Sequence, residues 1–302
     1  ALPACDEETN AVADGGVFDN GISEAGAANT LSVVLNSYAV PTNDTEAKKY
    51  AYDIDGDGKV DNALGAVLAA IKAVAPGVDL QAAMNQNVLN GNVIMLMQVK
   101  ASDLTTAASA TLQAWTGKEK LCCDTRPCTE TTAKLKCFSG TNEHEADINS
   151  PANALLTGAI ASGTGTFGPG TIEVQLPIGK WAARVKLLKA KVEGQVSSTG
   201  IIEGKLAGAI SQSDLKTQVV PAVALALADE MNDPTSTQAT RDAIKKAFDT
   251  NKDGKITNDE VSGNSAIMAV MSGDVDADGD GKKEELSAAV GFTAVTAVIK
   301  TK

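Results

Sequence analysis

Three short runs of the chain place oxygen-bearing side chains at alternating positions. The first carries Asp53, Asp55, Asp57 and Asp61, the second Asp249, Asn251, Asp253, Thr257 and Glu260, and the third Asp274, Asp276, Asp278, Asp280, Glu284 and Glu285. Each run also contains glycine, so a sharp turn can fold alternate side chains toward one point. The chemistry such a cage serves is the binding of a hard cation. Calcium takes about six to eight oxygens at roughly 2.3–2.6 Å, whereas magnesium demands a rigid octahedron and keeps its waters. Transition metals want imidazole or thiolate, and the only histidine is His144. The acidic runs therefore point to Ca2+.

A loop that encloses calcium needs oxygens at positions 1, 3 and 5, glycine at 6, a carbonyl at 7, an oxygen at 9 and a bidentate acid at 12. The run from Asp249 meets each demand with Asp249, Asn251, Asp253, Gly254, the Lys255 carbonyl, Thr257 and Glu260. Ile256 stands at position 8, where an apolar residue usually pairs with a neighbouring loop. This is a complete EF-hand pattern. The first run supplies Asp53, Asp55, Asp57, Gly58, the Lys59 carbonyl and Asp61, but its twelfth residue is Leu64. It resembles dockerin and thrombospondin type-3 calcium loops more than the standard EF-hand. The third run has two registers. One starts at Asp274 and uses Asp276, Asp278, the Asp280 carbonyl and Glu285. The other starts at Asp276 and uses Asp278, Asp280, the Lys282 carbonyl and Glu284. The second register repeats the first run, since Asp53-Ile-Asp-Gly-Asp-Gly-Lys matches Asp276-Ala-Asp-Gly-Asp-Gly-Lys.

Catalytic devices are hard to assemble from the remaining residues. A Ser-His-Asp or Cys-His arrangement would have to use His144, which lies in the polar stretch Asn142-Glu143-His144-Glu145 and reads as a surface residue. Gly163–Gly170 lacks the Lys-Ser/Thr of a phosphate loop. The sparse aromatics, 3% of residues, argue against a sugar-stacking groove. The expectation is a protein that is not an enzyme.

Of 302 residues, 26 are basic and 38 acidic, a net charge of −12 that repels nucleic acid and anionic lipid. No apolar run reaches the roughly 18–20 residues needed to span a bilayer; the longest, Val219–Ala228 and Val290–Ile299, fall short. Cys122, Cys123, Cys128 and Cys137 fall within sixteen residues and lack paired C-x-x-C knuckles. They read as two local disulfides of undetermined pairing rather than a zinc site, which implies an oxidising compartment. Cys5 is then left free, lipidated or paired with another chain; Leu2-Pro3-Ala4-Cys5 looks like a lipoprotein box, although Ala1–Ala4 ahead of the cysteine argues against that processing. The start at Ala1 suits a mature exported protein whose signal peptide has been removed.

The elements that must position the loops follow from periodicity. Residues 1–20 read as a loose arm, 24–38 as a helix ending before Pro41, and 64–74 as a helix stopped by Pro76-Gly77. Val93–Val99, Thr171–Leu176, Trp181–Val192 and Val196–Gly208 are apolar runs separated by glycine, which predict antiparallel strands. Residues 212–231, 240–248 and 265–271 return to helical spacing, and 291–299 fits a helix or, better, a returning strand. The fold class expected is α+β: a central antiparallel β-sandwich flanked by helical, EF-hand-like segments. Its parts are 1–85 with the first loop, 86–211 with a disulfide-stapled insertion at 117–140, and 212–302 with the other two loops.

Asn29-Thr-Leu, the Asp53–Gly65 run, Ile201–Ile210 and Asp274–Val295 together resemble a family of uncharacterised exported proteins of myxobacteria and related deltaproteobacteria. The resemblance implies a secreted or cell-surface location and brings no activity with it. The function expected is a calcium-binding structural protein outside the cell, self-associating into an oligomer or filament with the N-terminal arm donated to a neighbour's edge strand. The alternative is a calcium-responsive binding module with a Met-rich groove, for which Met268 and Met271 are the candidates.

Overall fold

A computed structural model of the chain describes residues 29–41, 43–66, 68, 80–178 and 181–301. The N-terminal arm, Cys5 and most of the helix expected over 64–74 lie outside the described residues. Within them the strands are β1 (Asn29–Ala39), β2 (Met95–Ala101), β3 (Ala107–Thr116), β4 (Glu143–Glu145), β5 (Leu155–Ala161), β6 (Thr164–Ile178), β7 (Trp181–Ser197), β8 (Gly200–Ile210), β9 (Leu286–Thr296) and β10 (Val298–Lys300). The helices are α1 (Asp44–Tyr50), α2 (Leu80–Asn90), α3 (Glu130–Lys136), α4 (Gln212–Asp214), α5 (Val220–Asn232), α6 (Gln238–Phe248), α7 (Asn258–Gly263) and α8 (Ser265–Val270). A π-helical turn, Leu215–Val219, joins α4 to α5.

The strands form one closed antiparallel barrel in the order β1-β2-β3-β5-β6-β7-β8-β9, with β9 pairing back onto β1. β10 and β4 make a small parallel pair. The α+β class stands, and the expected sandwich is corrected to a barrel. Alternating strands look alike in either architecture; the β9–β1 pairing closes this sheet, and the long strands β7 and β8 are among those that bend to follow it. Their ladder slips between Leu188 and Lys191, where Lys189 adopts φ 47°, and such bulges bend a strand and raise its twist. Closure also removes the free barrel edges on which strand donation to a neighbour depended.

The helix expected over 24–38 is instead β1. Leu31, Val34, Leu35 and Tyr38 imitate helical spacing, but β1 is paired on both sides and its residues from Val33 to Leu35 are all buried, which hides the alternation of a strand. The 291–299 segment is strand, in β9 and β10. Because β1 and β9 are neighbours, the described residues of the segments 1–85, 86–211 and 212–302 contribute to one core. That core is aliphatic, as the scarcity of aromatics requires. Met271, just beyond α8, lies within it, and Met268 on α8 is half-buried.

The insertion is stapled by Cys122–Cys137 and Cys123–Cys128. His144 is not a surface residue: it is 3% exposed, its Nε2 meets the Cys137 carbonyl at 2.9 Å, and Phe138 stacks beside it. The strand pairing Ile299↔His144 carries it under the staple.

Candidate metal centre

The three acidic loops share one backbone. Positions 4 and 6 turn through positive φ in each: Gly56 and Gly58 at 84° and 85°, Gly279 and Gly281 at 85° and 89°, Lys252 and Gly254 at 62° and 80°. Glycine reaches this region without a Cβ penalty, which is why the motif spends two glycines where the second loop uses Lys252. The side chains lock the turn identically in the first and third loops and with one bond fewer in the second. Asp53 accepts from the N–H groups of Gly56 and Gly58, Asp55 from Asp57, and Asp57 from Lys59. Asp276 accepts from Gly279 and Gly281, Asp278 from Asp280, and Asp280 from Lys282. In the second loop Asp249 accepts from Gly254, Asn251 from Asp253, and Asp253 from Lys255. One oxygen of each aspartate at positions 3 and 5 is thus spent on the backbone; in the second loop the other oxygen of Asp253 accepts from Asn251 Nδ2 at 3.2 Å.

The backbone of the third loop follows this pattern when counted from Asp276. Counting from Asp276 places Gly279 and Gly281 at the left-handed positions, whereas counting from Asp274 would place Ala277 there. Asp274 is engaged elsewhere: its carboxylate accepts the Ser287 N–H at 2.7 Å and the Ser287 hydroxyl at 2.5 Å. The loop closes on Glu285, whose Oε2 accepts the Ala277 N–H at 3.0 Å, as Asp61 closes the first loop by accepting the Ile54 N–H at 2.9 Å. Bridges Tyr52↔Asp61 and Val275↔Glu285 tie the two ends of each loop.

Among the described residues, carboxylate oxygens converge to within 4.8 Å of one another in three groups: Asp53, Asp55 and Asp57; Asp276, Asp278 and Glu285; and Asp278, Asp280 and Glu284. In the second loop Glu260 closes the far end. Its Oε1 accepts from Thr250 and Asn251, and its Oε2 from the N–H and hydroxyl of Thr257. Thr257 in turn caps α7 by accepting the Glu260 N–H. Burial pushes the Glu260 carboxyl up, but these hydrogen bonds outweigh it and its pKa lies below the ordinary value. Asp249 keeps one oxygen, Oδ1, buried with no hydrogen-bond partner. An acceptor in that state costs free energy unless a cation or donor meets it. All-oxygen donor sets and this orphaned oxygen fit calcium.

The first and third loops lie together. Ile54, Val275 and Ala277 pack with Ala209 of β8, flanked by Tyr52 and by Leu188 of β7. β7 also sends Lys191 to the Asp53 carbonyl at 3.0 Å and Lys189 to the Asp276 carbonyl at 3.2 Å, the same position of each loop. The loop pairing expected at Ile256 occurs here instead; Ile256 is packed into the main core. Lys283, from beyond the glycines of the third loop, bridges to Asp55 Oδ2 at 2.8 Å and Asp57 Oδ2 at 3.0 Å. This ammonium holds both carboxyls below the usual carboxylate range. Burial, reinforced by Asp55, Asp274 and Asp57, pushes Asp61 the other way.

Sequence reasoning found the loop residues but not Lys189, Lys191, Lys283, Asn62 or Ser287, which hold the loops from outside the motif. The echo between the two Asp-x-Asp-Gly-Asp-Gly-Lys runs was the one signal that they form a pair. The EF hand family model matches residues 246–262, the second loop with its flanking helical residues. No curated protein and no solved structure matches the chain.

Proposed function

We propose that this chain is an extracellular structural protein whose barrel is pinned by calcium. The observation that carries the reading is the pairing of the first and third loops. Sequence-distant segments with one motif and one hydrogen-bond pattern sit side by side on β7 and β8. An ion in each loop would fasten residues 53–61 and 276–285 to the same part of the barrel. Asp53, Asp55, Asp57, the Lys59 carbonyl and Asp61 would serve the first site. Asp276, Asp278, Asp280, the Lys282 carbonyl, Glu284 and Glu285 would serve the third, and Asp249, Asn251, Asp253, the Lys255 carbonyl, Thr257 and Glu260 the second. Asp274 is released from this set by its bond to Ser287.

The two disulfides support an oxidising location, where calcium is abundant and weak, permanently filled sites suffice. No described helix is long and apolar enough to cross a membrane. Self-association remains part of the proposal, by a contact other than the closed barrel edges. A thermal melt in saturating calcium and in excess chelator tests the reading. Each filled site adds RT ln(1 + [Ca]/Kd), about 2.7 kcal/mol at a hundredfold excess over Kd, so chelation should lower the melting temperature by several degrees. An unchanged melt would remove the structural role.

A further inference from the structure

We infer that Lys283 is a tethered cation guarding the first loop, so that calcium enters between Asp53 and Asp61 only by displacing its ammonium from Asp55 and Asp57. This rests on the calcium reading and adds a control to it. The argument turns on which oxygens the ammonium holds. Asp55 spends Oδ1 on the Asp57 N–H, and Asp57 spends Oδ1 on the Lys59 N–H. The oxygens left for a metal at positions 3 and 5 are the two Oδ2 atoms, and these are the ones Lys283 contacts at 2.8 and 3.0 Å. Such distances are those of charge-assisted hydrogen bonds. A calcium ion at about 2.3–2.6 Å from the same oxygens would share their charge with a neighbouring cation. Asp55 is 5% exposed on its side chain, so solvent cannot substitute for the ammonium there.

The two loops are held unequally: Lys283 bridges two carboxylates of the first, and Lys282 meets one of the third. The first-loop residue equivalent to Lys283 is Val60, which is exposed and carries no charge. Among the described residues, the ammonium that meets the third loop's carboxylates is Lys282, which pairs with Asp280 of its own loop at 2.7 Å. Two loops with one motif should therefore differ in affinity, with the first the weaker. Its filling should also free Lys283, a residue of the third loop's closing segment, and so link the two occupancies.

Terbium, a calcium mimic, is sensitised by Tyr52, which adjoins Asp53 but also flanks Val275 and Ala277, so an Asp276→Asn background that disables the third loop makes the signal report the first. Tyrosine-sensitised terbium luminescence would be titrated on the full chain, with calcium as the displacing ion and Tyr52→Phe as the control that assigns the signal. Lys283→Met should lower the half-saturating terbium concentration by roughly two- to fivefold, the range a surface ion pair is worth. Lys283→Arg should behave as the parent chain, and Lys282→Met should leave the signal in place. Lys283 is 49% exposed on its side chain, so these changes spare the core. Unchanged or weaker binding by Lys283→Met overturns the guard while leaving the calcium site intact. Absence of a Tyr52-dependent signal in every variant overturns both.

Discussion

Asn62 is the residue by which the first loop grips the barrel, and its replacement should be expensive. β1 reaches only as far as Gly291 along β9, so the N–H and C=O of Ala289 lack a strand partner on that side. Asn62 supplies one: its Nδ2 donates to Ala289 O at 3.0 Å, and its Oδ1 accepts the Ala289 N–H at 2.9 Å. Nδ2 also donates to Ala47 O, the end of the bond chain into α1, at 3.0 Å. A neutral hydrogen bond contributes about 0.5–1.5 kcal/mol net. Loss of these three should therefore cost Asn62→Ala about 2–3 kcal/mol, visible as a lower urea midpoint at unchanged slope. Asn62→Asp sharpens the test. It keeps an acceptor for Ala289 N–H but sets a carboxylate against two carbonyls, so it should be at least as damaging as alanine. A loss below about 0.5 kcal/mol for alanine, or an aspartate variant more stable than the alanine one, would refute the clamp.

His144 should make stability depend on pH. Burial lowers its pKa below the ordinary 6.5, with the Cys137 carbonyl opposing and Lys120 adding. The unfolded chain therefore binds the proton first, so its contribution is complete above about pH 6.5 and falls as the pH drops below that. Measured in excess chelator, the parent chain should lose stability through this window, and His144→Gln should flatten that part of the profile. The staples should differ in worth. Cys122–Cys137 spans 15 positions and Cys123–Cys128 spans 5, so the chain-entropy relation assigns about 3 and about 2 kcal/mol respectively. Urea unfolding of the two paired Cys→Ala variants should rank them in that order.

The loops were legible because their chemistry is local. Oxygens at fixed spacing around glycine declare a cation site without reference to the rest of the fold, and the family match falls on the one loop with an acid at position 12. The cysteine cluster was legible for the same reason, although its pairing was not. What long-range contacts decide was hidden. β1 looked helical because pairing on both sides buries its residues without a strand's alternation. Barrel closure rests on the β1–β9 pairing, and the sheet bends at bulges in several ladders that no spacing announces. The backbone match of the third loop to the first, with Ser287 holding Asp274 and positive φ at Gly279 and Gly281, is likewise a matter of contacts that spacing does not announce. Lys283 reaches Asp57 across a separation of 226 residues, and nothing in its neighbourhood, Lys-Lys-Glu-Glu, distinguishes it from solvated charge.

The central claim is that each acidic loop binds calcium through the residues assigned to it, and calcium counted per chain by titration calorimetry tests it most directly. The parent chain should take up one ion per loop. Glu260→Gln, which keeps the shape of the closing side chain and removes its charge, should abolish or severely weaken one site and spare the other two. Asp276→Asn should do the same for the third loop, while Asp274→Asn should leave the count unchanged because Ser287 already holds that carboxylate. A parent chain that binds no calcium, or a Glu260→Gln variant with undiminished stoichiometry and affinity, would contradict the account.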